Sequence, residues 1–123
     1  MTETIFEITK AATFDAAHRL ADSDDDRYGR LHGHSFRVEA TFRGAAGARG
    51  WVADLGALKA SLDAIAGELD HSLLNDHPGL ETPTLEALCL FFARRLKPTS
   101  PLLCKVTVSR PLAGESCALA CQD

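Results

Sequence analysis

Three histidines carry the strongest chemical signal in this 123-residue chain: His32 and His34, separated only by Gly33, and His18 at the end of Phe14-Asp15-Ala16-Ala17-His18-Arg19. Side chains alternate along an extended strand, so His32 and His34 would project from one face, roughly 6.5 to 7 Å apart along the backbone. That is close enough for both rings to converge on one ion. Three neutral imidazoles with a fourth position left open are the coordination of a catalytic zinc rather than a structural one. A lone histidine more often just fills a polar edge, but an H-G-H pair with a third histidine reverses that balance.

The hydrophobic pattern supplies the elements that must position them. Thr4 to Ala17 reads as a long strand, with alternation clearest from Ala12 to Ala16 and His18 at its end. Ser35 to Arg43 alternates Phe36, Val38, Ala40 and Phe42 with polar residues, a strand with one wet face. Between the two, Ala21 to Arg27 holds Asp22, Ser23, Asp24, Asp25 and Asp26 and reads as a solvated loop. Asp54 is a good N-cap for a helix with Leu55, Leu58, Leu62, Ile65, Ala66 and Leu69 on one stripe, ending near Asp70-His71. Thr82-Pro83 opens a second helix with proline at its first position, and Leu85, Leu88, Cys89, Phe92 and Leu96 form its buried stripe. Leu103 to Ser109 is a third strand, and the tail after Pro111 and Gly114 adds a short fourth.

The expected order is ββααββ, an α+β fold of one domain over residues 1–123, with an antiparallel sheet in two layers and both helices on one face. That leaves a second sheet face and two edge strands to be covered, which points to a homo-oligomer.

Composition narrows the function classes. An apolar content of 46% supports one core. The net charge of −4, with no basic run longer than Arg94-Arg95, leaves no footprint for nucleic acid or an anionic membrane. No signal-peptide pattern or membrane-spanning apolar run is present, so a cytoplasmic location is expected. Cys89, Cys104, Cys117 and Cys121 show no C-x-x-C spacing, so reduced thiols are expected rather than a disulfide framework or a zinc ribbon.

Several stretches resemble the 6-pyruvoyltetrahydropterin synthase and 6-carboxytetrahydropterin synthase family. They are Phe14-Asp15-Ala16-Ala17-His18-Arg19-Leu20, Gly29-Arg30-Leu31-His32-Gly33-His34-Ser35-Phe36, Gly50-Trp51-Val52-Ala53-Asp54, Leu69-Asp70-His71-Ser72-Leu73-Leu74-Asn75 and Pro83-Thr84-Leu85-Glu86. The resemblance implies the tunnelling fold, in which subunits join their sheets into a barrel, as a tetramer or hexamer, with active sites where subunits meet. It implies Zn2+ on His18, His32 and His34. It further implies a synthase or lyase acting on 7,8-dihydroneopterin triphosphate or a related pterin, with triphosphate loss or side-chain cleavage. Zinc would hold the side-chain oxygens and, as a Lewis acid, ease proton removal from the adjacent carbon. Asp70 and His71 match the family's proton-moving pair, in which a carboxylate orients an imidazole; the plainer reading is a histidine sitting well at a helix C-terminus. Thr84, Glu86 and Glu115 match substrate contacts.

The chain departs from the family in two places. No cysteine precedes His32: the family's thiol would fall at Tyr28 in one spacing and at Asp26 in another. Within the family's wider circle, some members that lack this cysteine use a carboxylate and cleave the side chain to 6-hydroxymethyldihydropterin; the resemblance thus makes Asp26 and Tyr28 the candidates for its role, the phenol being the poorer base. The glutamate that grips the pterin's amino and amide edge falls at Arg110 in direct continuation of the third strand, or at Glu115 with a short insertion through Pro111. A carboxylate suits that task, because it accepts paired N–H bonds as a guanidinium cannot. The acidic loop would also repel a triphosphate at close approach, within a screening length of about 8 Å. The rival reading is a zinc- and pterin-binding homologue that has lost the reaction; a plain scaffold with incidental histidines is the third.

Overall fold

The computed structural model describes residues 3–20 and 24–121. Two 14-residue strands dominate it: β1 (Ile5–His18) and β2 (His32–Ala45) pair antiparallel from Ile5 opposite Ala45 to His18 opposite His32. The period of two turns Phe14, Ala16 and His18 of β1 to the same buried side as Phe36, Val38, Ala40 and Phe42 of β2. β3 (Leu103–Arg110) and β4 (Glu115–Ala120) continue the sheet in the order β1-β2-β3-β4, all antiparallel. The expected third strand and the short fourth are both present.

Two helices cover the buried face, α2 (Leu55–Leu69) over β1 and α3 (Leu85–Leu96) over β3 and β4. Asp54 caps α2 as its position in the sequence predicts, its carboxylate accepting from the backbone N–H groups of Gly56 and Ala57. The expected stripe begins one turn late, because Leu55 is exposed and Leu62, Ile65, Ala66 and Leu69 are the buried residues.

The start of α3 needs a correction. Pro83 is not its first residue; Thr84 is the N-cap, its hydroxyl accepting from Ala87 N–H at 3.1 Å. A side-chain acceptor satisfies an orphan donor of the first turn, which proline's fixed φ alone does not do. Pro83 stays outside the helix, with its carbonyl available.

The acidic stretch expected as a loop falls partly outside the described residues. The remainder contains a single turn, α1 (Asp26–Gly29), capped by Asp25, whose carboxylate accepts from Arg27 N–H and pairs with the Arg27 guanidinium. This turn is additional to the expected order.

The segment after α2 wraps the free edge of β1. Asp15 offers its N–H to Asp70 Oδ1 at 2.9 Å and its carbonyl to His71 N–H at 2.6 Å. Ala17 N–H donates to Ser72 O, and the Asn75 side chain both accepts from Arg19 N–H and donates to Arg19 O. Alternate residues of an edge strand present their backbone groups outwards; here residues 70–75 take them from Asp15 to Arg19. The chain turns into this wrap at His71, whose φ of 58° is left-handed. Among the described residues, no helix is long and apolar enough to cross a membrane.

Phe36 is the keystone of the core beneath the histidines. It stacks on Phe14 with centroids 5.1 Å apart and meets the rings of His18 and His34 edge-on at 6.0 and 5.7 Å. Phe36→Ala should cost about 3–5 kcal/mol of stability, measured as a lower urea midpoint.

Candidate metal centre

The cross-strand register brings His18 and His32 face to face, and the period of two adds His34 beside them. Ring centroids lie 4.6 Å apart for His18–His32, 5.0 Å for His18–His34 and 4.9 Å for His32–His34, with one ligand nitrogen from each ring within 4.8 Å of the others. His18 is fully buried, while His32 and His34 are half-buried. The three histidines singled out in the sequence are therefore brought together.

Backbone carbonyls orient two of the rings. His18 Nδ1 lies 3.0 Å from Pro83 O and His32 Nδ1 lies 2.7 Å from Arg30 O. A carbonyl only accepts, so each Nδ1 carries the proton and each Nε2 presents a lone pair. Those two Nε2 atoms are 3.1 Å apart, an unfavourable approach for two lone pairs unless a cation or a proton lies between them. His34 Nε2 is buried with no hydrogen-bond partner. Zinc–nitrogen bonds of ~2.0–2.1 Å would set tetrahedral ligand nitrogens about 3.4 Å apart, close to the 3.1 Å between His18 and His32 Nε2. The donor set thus fits one zinc-type ion, with Nδ1–H groups held by carbonyls as metal-bound histidines usually are.

The electrostatics favour the neutral, ligating form. Burial, opposed in part by the Pro83 hydrogen bond and reinforced by the neighbouring histidines and Arg110, lowers the His18 pKa to about 4. Burial and the positive charge of Arg110 also lower that of His34, with Glu115 acting in the other sense.

Asp70 and His71 form a second group. His71 Nε2 is 3.8 Å from Asp70 Oδ2, an ion-pair separation too long for a hydrogen bond, and both side chains are exposed. Asp15, which the sequence reading passed over, completes this group, its carboxylate accepting from the Ser35 hydroxyl at 2.6 Å. Among the described residues no hydrogen bond or ring contact joins His71 to His18, His32 or His34. The trio projects from the helix-covered side of the sheet, whereas Asp70 and His71 sit at the free edge of β1.

Tyr28 is half-exposed with its ring 6.2 Å from that of His32, whereas Asp26 is exposed on α1. Thr84 is committed to capping α3, and Glu86 is exposed on its first turn. The choice between Arg110 and Glu115 takes a new form, because the two are direct partners across β3 and β4. The anticipated insertion is a 3-10 turn, Pro111–Ala113, closed by Gly114 at a φ of 69°. A cleft of about 880 Å³ opens beside these groups, lined by Asp15, His34, Ser35, His71, Arg110 and Leu112 among others.

Asp15 carried no signal of its own in the sequence, and Arg110 stood out there only as the residue at a place where a glutamate is expected. The Pro83 carbonyl was equally hidden, since a backbone acceptor has no residue type to betray it.

Comparison with known proteins agrees with this geometry. The family profile described as 6-pyruvoyl tetrahydropterin synthase matches residues 7–119, spanning all four strands. The chain is 38% identical over 96 residues to a 6-carboxy-5,6,7,8-tetrahydropterin synthase of Synechocystis sp., covering 73% of this chain and 74% of that one. It is 34% identical over 90 residues to a dihydroneopterin monophosphate aldolase of Pyrococcus furiosus, with the same coverage. The structure of Caenorhabditis elegans 6-pyruvoyl tetrahydropterin synthase superposes with a TM-score of 0.84 at 25% identity over 99% of both chains. A match that runs from the first strand to the last and takes in all three histidines places this chain in the 6-pyruvoyl tetrahydropterin synthase family.

Proposed function

We propose that this protein is a zinc-dependent lyase that cleaves the side chain of a phosphorylated 7,8-dihydroneopterin, working as a homo-oligomer whose active sites lie between subunits. The observation that carries the reading is the histidine centre, three converging imidazoles, two of them locked by carbonyls with Nε2 lone pairs exposed, and no thiol before His32. Two relatives represent the available reactions, a carboxytetrahydropterin synthase and an aldolase. The missing cysteine favours the aldolase type, which yields 6-hydroxymethyldihydropterin by breaking the bond between the first and second side-chain carbons.

Zinc on His18, His32 and His34 would polarise the side-chain hydroxyls as a Lewis acid. The cleavage needs one proton taken from the hydroxyl on the second carbon and one delivered to the first. Tyr28, whose ring lies 6.2 Å from that of His32, is our candidate for one of these transfers. His71, at ion-pair distance from Asp70 and with its backbone N–H held by the Asp15 carbonyl, is our candidate for the other. His71 lines the same cleft as His34 but meets none of the three rings, so the pair is read as serving the metal centre of a neighbouring copy across that cleft. The exposed Ile5 and Phe6 on the rest of that edge strand are consistent with such a neighbour.

A second reading, the homologue that has kept zinc and pterin but lost the reaction, is favoured by the same absent thiol.

Incubation of zinc-replete protein with dihydroneopterin monophosphate and triphosphate separates these readings by product. 6-Hydroxymethyldihydropterin is expected; a 6-carboxy or 6-pyruvoyl product would assign the synthase reaction, and zinc retention without turnover the non-catalytic one. Tyr28→Phe should then lower kcat by about 10²–10⁴-fold, the usual worth of a positioned proton donor or acceptor, while Asp26→Asn stays near wild type. Unchanged turnover in both would remove the loop from the mechanism.

Sites shared between copies have a direct test. His18→Ala and His71→Ala chains, each inactive alone, should regain part of the wild-type rate when co-assembled; no recovery in a verified mixed oligomer would place both groups in one chain's site.

The metal-free protein should be pH-sensitive. The folded chain holds His18 neutral down to about pH 4, against an ordinary pKa of 6.5. Between those values the unfolded chain binds a proton that the folded chain refuses, so stability is full above about pH 6.5 and declines towards pH 4. His18→Gln should make that decline shallower in urea unfolding of metal-free protein.

A further inference from the structure

The β3–β4 hairpin holds a charged pair that the metal centre does not use. Arg110 and Glu115 are opposite one another in the register, with Arg110 Nε 3.4 Å from Glu115 Oε1. The two are unequally placed: Arg110 is 8% exposed, whereas the Glu115 side chain is 43% exposed. Arg110 Nε is buried and makes no hydrogen bond, and among the described residues this guanidinium donates none. Of the five N–H donors of the guanidinium, the one on Nε is the buried and unmet one, and leaving a buried donor unmet is costly. Glu115 balances the charge without accepting a hydrogen bond from that Nε–H.

The location narrows what would satisfy it. Arg110 follows Val106 and Val108 on the helix-covered side of β3, the side that carries the three histidines, and it lines the cleft along with His34. Its charge is close enough to depress the His34 pKa. An oxyanion there would meet the Glu115 carboxylate, so a neutral acceptor beside a pair of donors is the better match. The edge of a pterin ring offers that sequence: a 2-amino group, N3–H, then the carbonyl oxygen at C4. A carboxylate accepts from the first two. The third needs a donor next to that carboxylate.

We propose that Arg110 is a second recognition residue for the pterin ring, donating to the C4 carbonyl oxygen while Glu115 accepts from N3–H and the 2-amino group. The assignment rests on the pterin reading above and turns the choice between Arg110 and Glu115 into a division of labour across one edge. It makes Arg110 the residue that distinguishes a 4-oxo ring from analogues with a poorer acceptor at that carbon.

The test is calorimetric titration of zinc-loaded full-length protein with pterin and with 2-amino-4-thioxopteridine, which keeps N3–H and the amino group but carries sulfur, a weak acceptor, at C4. Wild type should prefer pterin by at least about tenfold, as loss of a hydrogen bond to a charged donor implies. Arg110→Met should bring the two ligands within about twofold of each other. Glu115→Gln should weaken both alike and leave their ratio standing. Arg110→Lys, which keeps one charged donor and the buried stem, should give an intermediate ratio and serves if the methionine variant does not fold. A wild-type ratio retained in either Arg110 variant would overturn the assignment with the pterin reading intact. Failure of wild type to bind pterin at all would overturn both.

Discussion

The antiparallel register of β1 and β2 is the constraint on which the rest depends. With His18 opposite His32, the side-chain period places His34 on the same side, and three imidazoles converge without any loop having to fold around an ion. A slip of one residue would send every side chain of a strand to the opposite face, emptying the core of Phe14 or Phe36 as well as dispersing the histidines. The histidine cluster and the hydrophobic core are thus specified by one pairing, and the burial of Phe36, Val38, Ala40 and Phe42 on β2 secures the geometry of the rings.

Helix α3 contributes to the centre through its approach rather than its body. Thr84 caps the first turn and Pro83 remains outside it, which leaves the Pro83 carbonyl free to hold His18 Nδ1. The Arg30 carbonyl does the same for His32 from the other side. Both rings are fixed in the tautomer that exposes Nε2, so the ligands are preorganised by backbone atoms, which side-chain substitution does not remove.

The parts of this arrangement differ in how readable they are from residue types. Alternation in Phe36–Phe42 and helical spacing in Leu62–Leu69 and Leu85–Leu96 record burial, and burial is what the fold confirms; the H-G-H spacing is legible for the same reason, since it is a strand period written in ligand residues. The start of α3 was misplaced because proline and threonine are both helix-start signals and only the capping hydrogen bond decides between them. The wrap of residues 70–75 around β1 could not be foreseen, because its partners are the backbone groups of Asp15, Ala17 and Arg19, and backbone groups are alike in every sequence. Arg110 opposite Glu115 was hidden by the 3-10 turn between them, whose length sets the register that no periodicity in the flanking strands reveals.

The double use of β1 bears on mechanical coupling. Its side chains deliver His18 to one centre, while its outer backbone groups, starting three residues earlier at Asp15, grip Asp70 and His71. A strand paired along its length is stiff, so these two attachments keep a fixed separation. The spacing between the three histidines and the Asp70–His71 bracket is therefore a property of one strand, and the left-handed backbone at His71 is where the bracket turns off it.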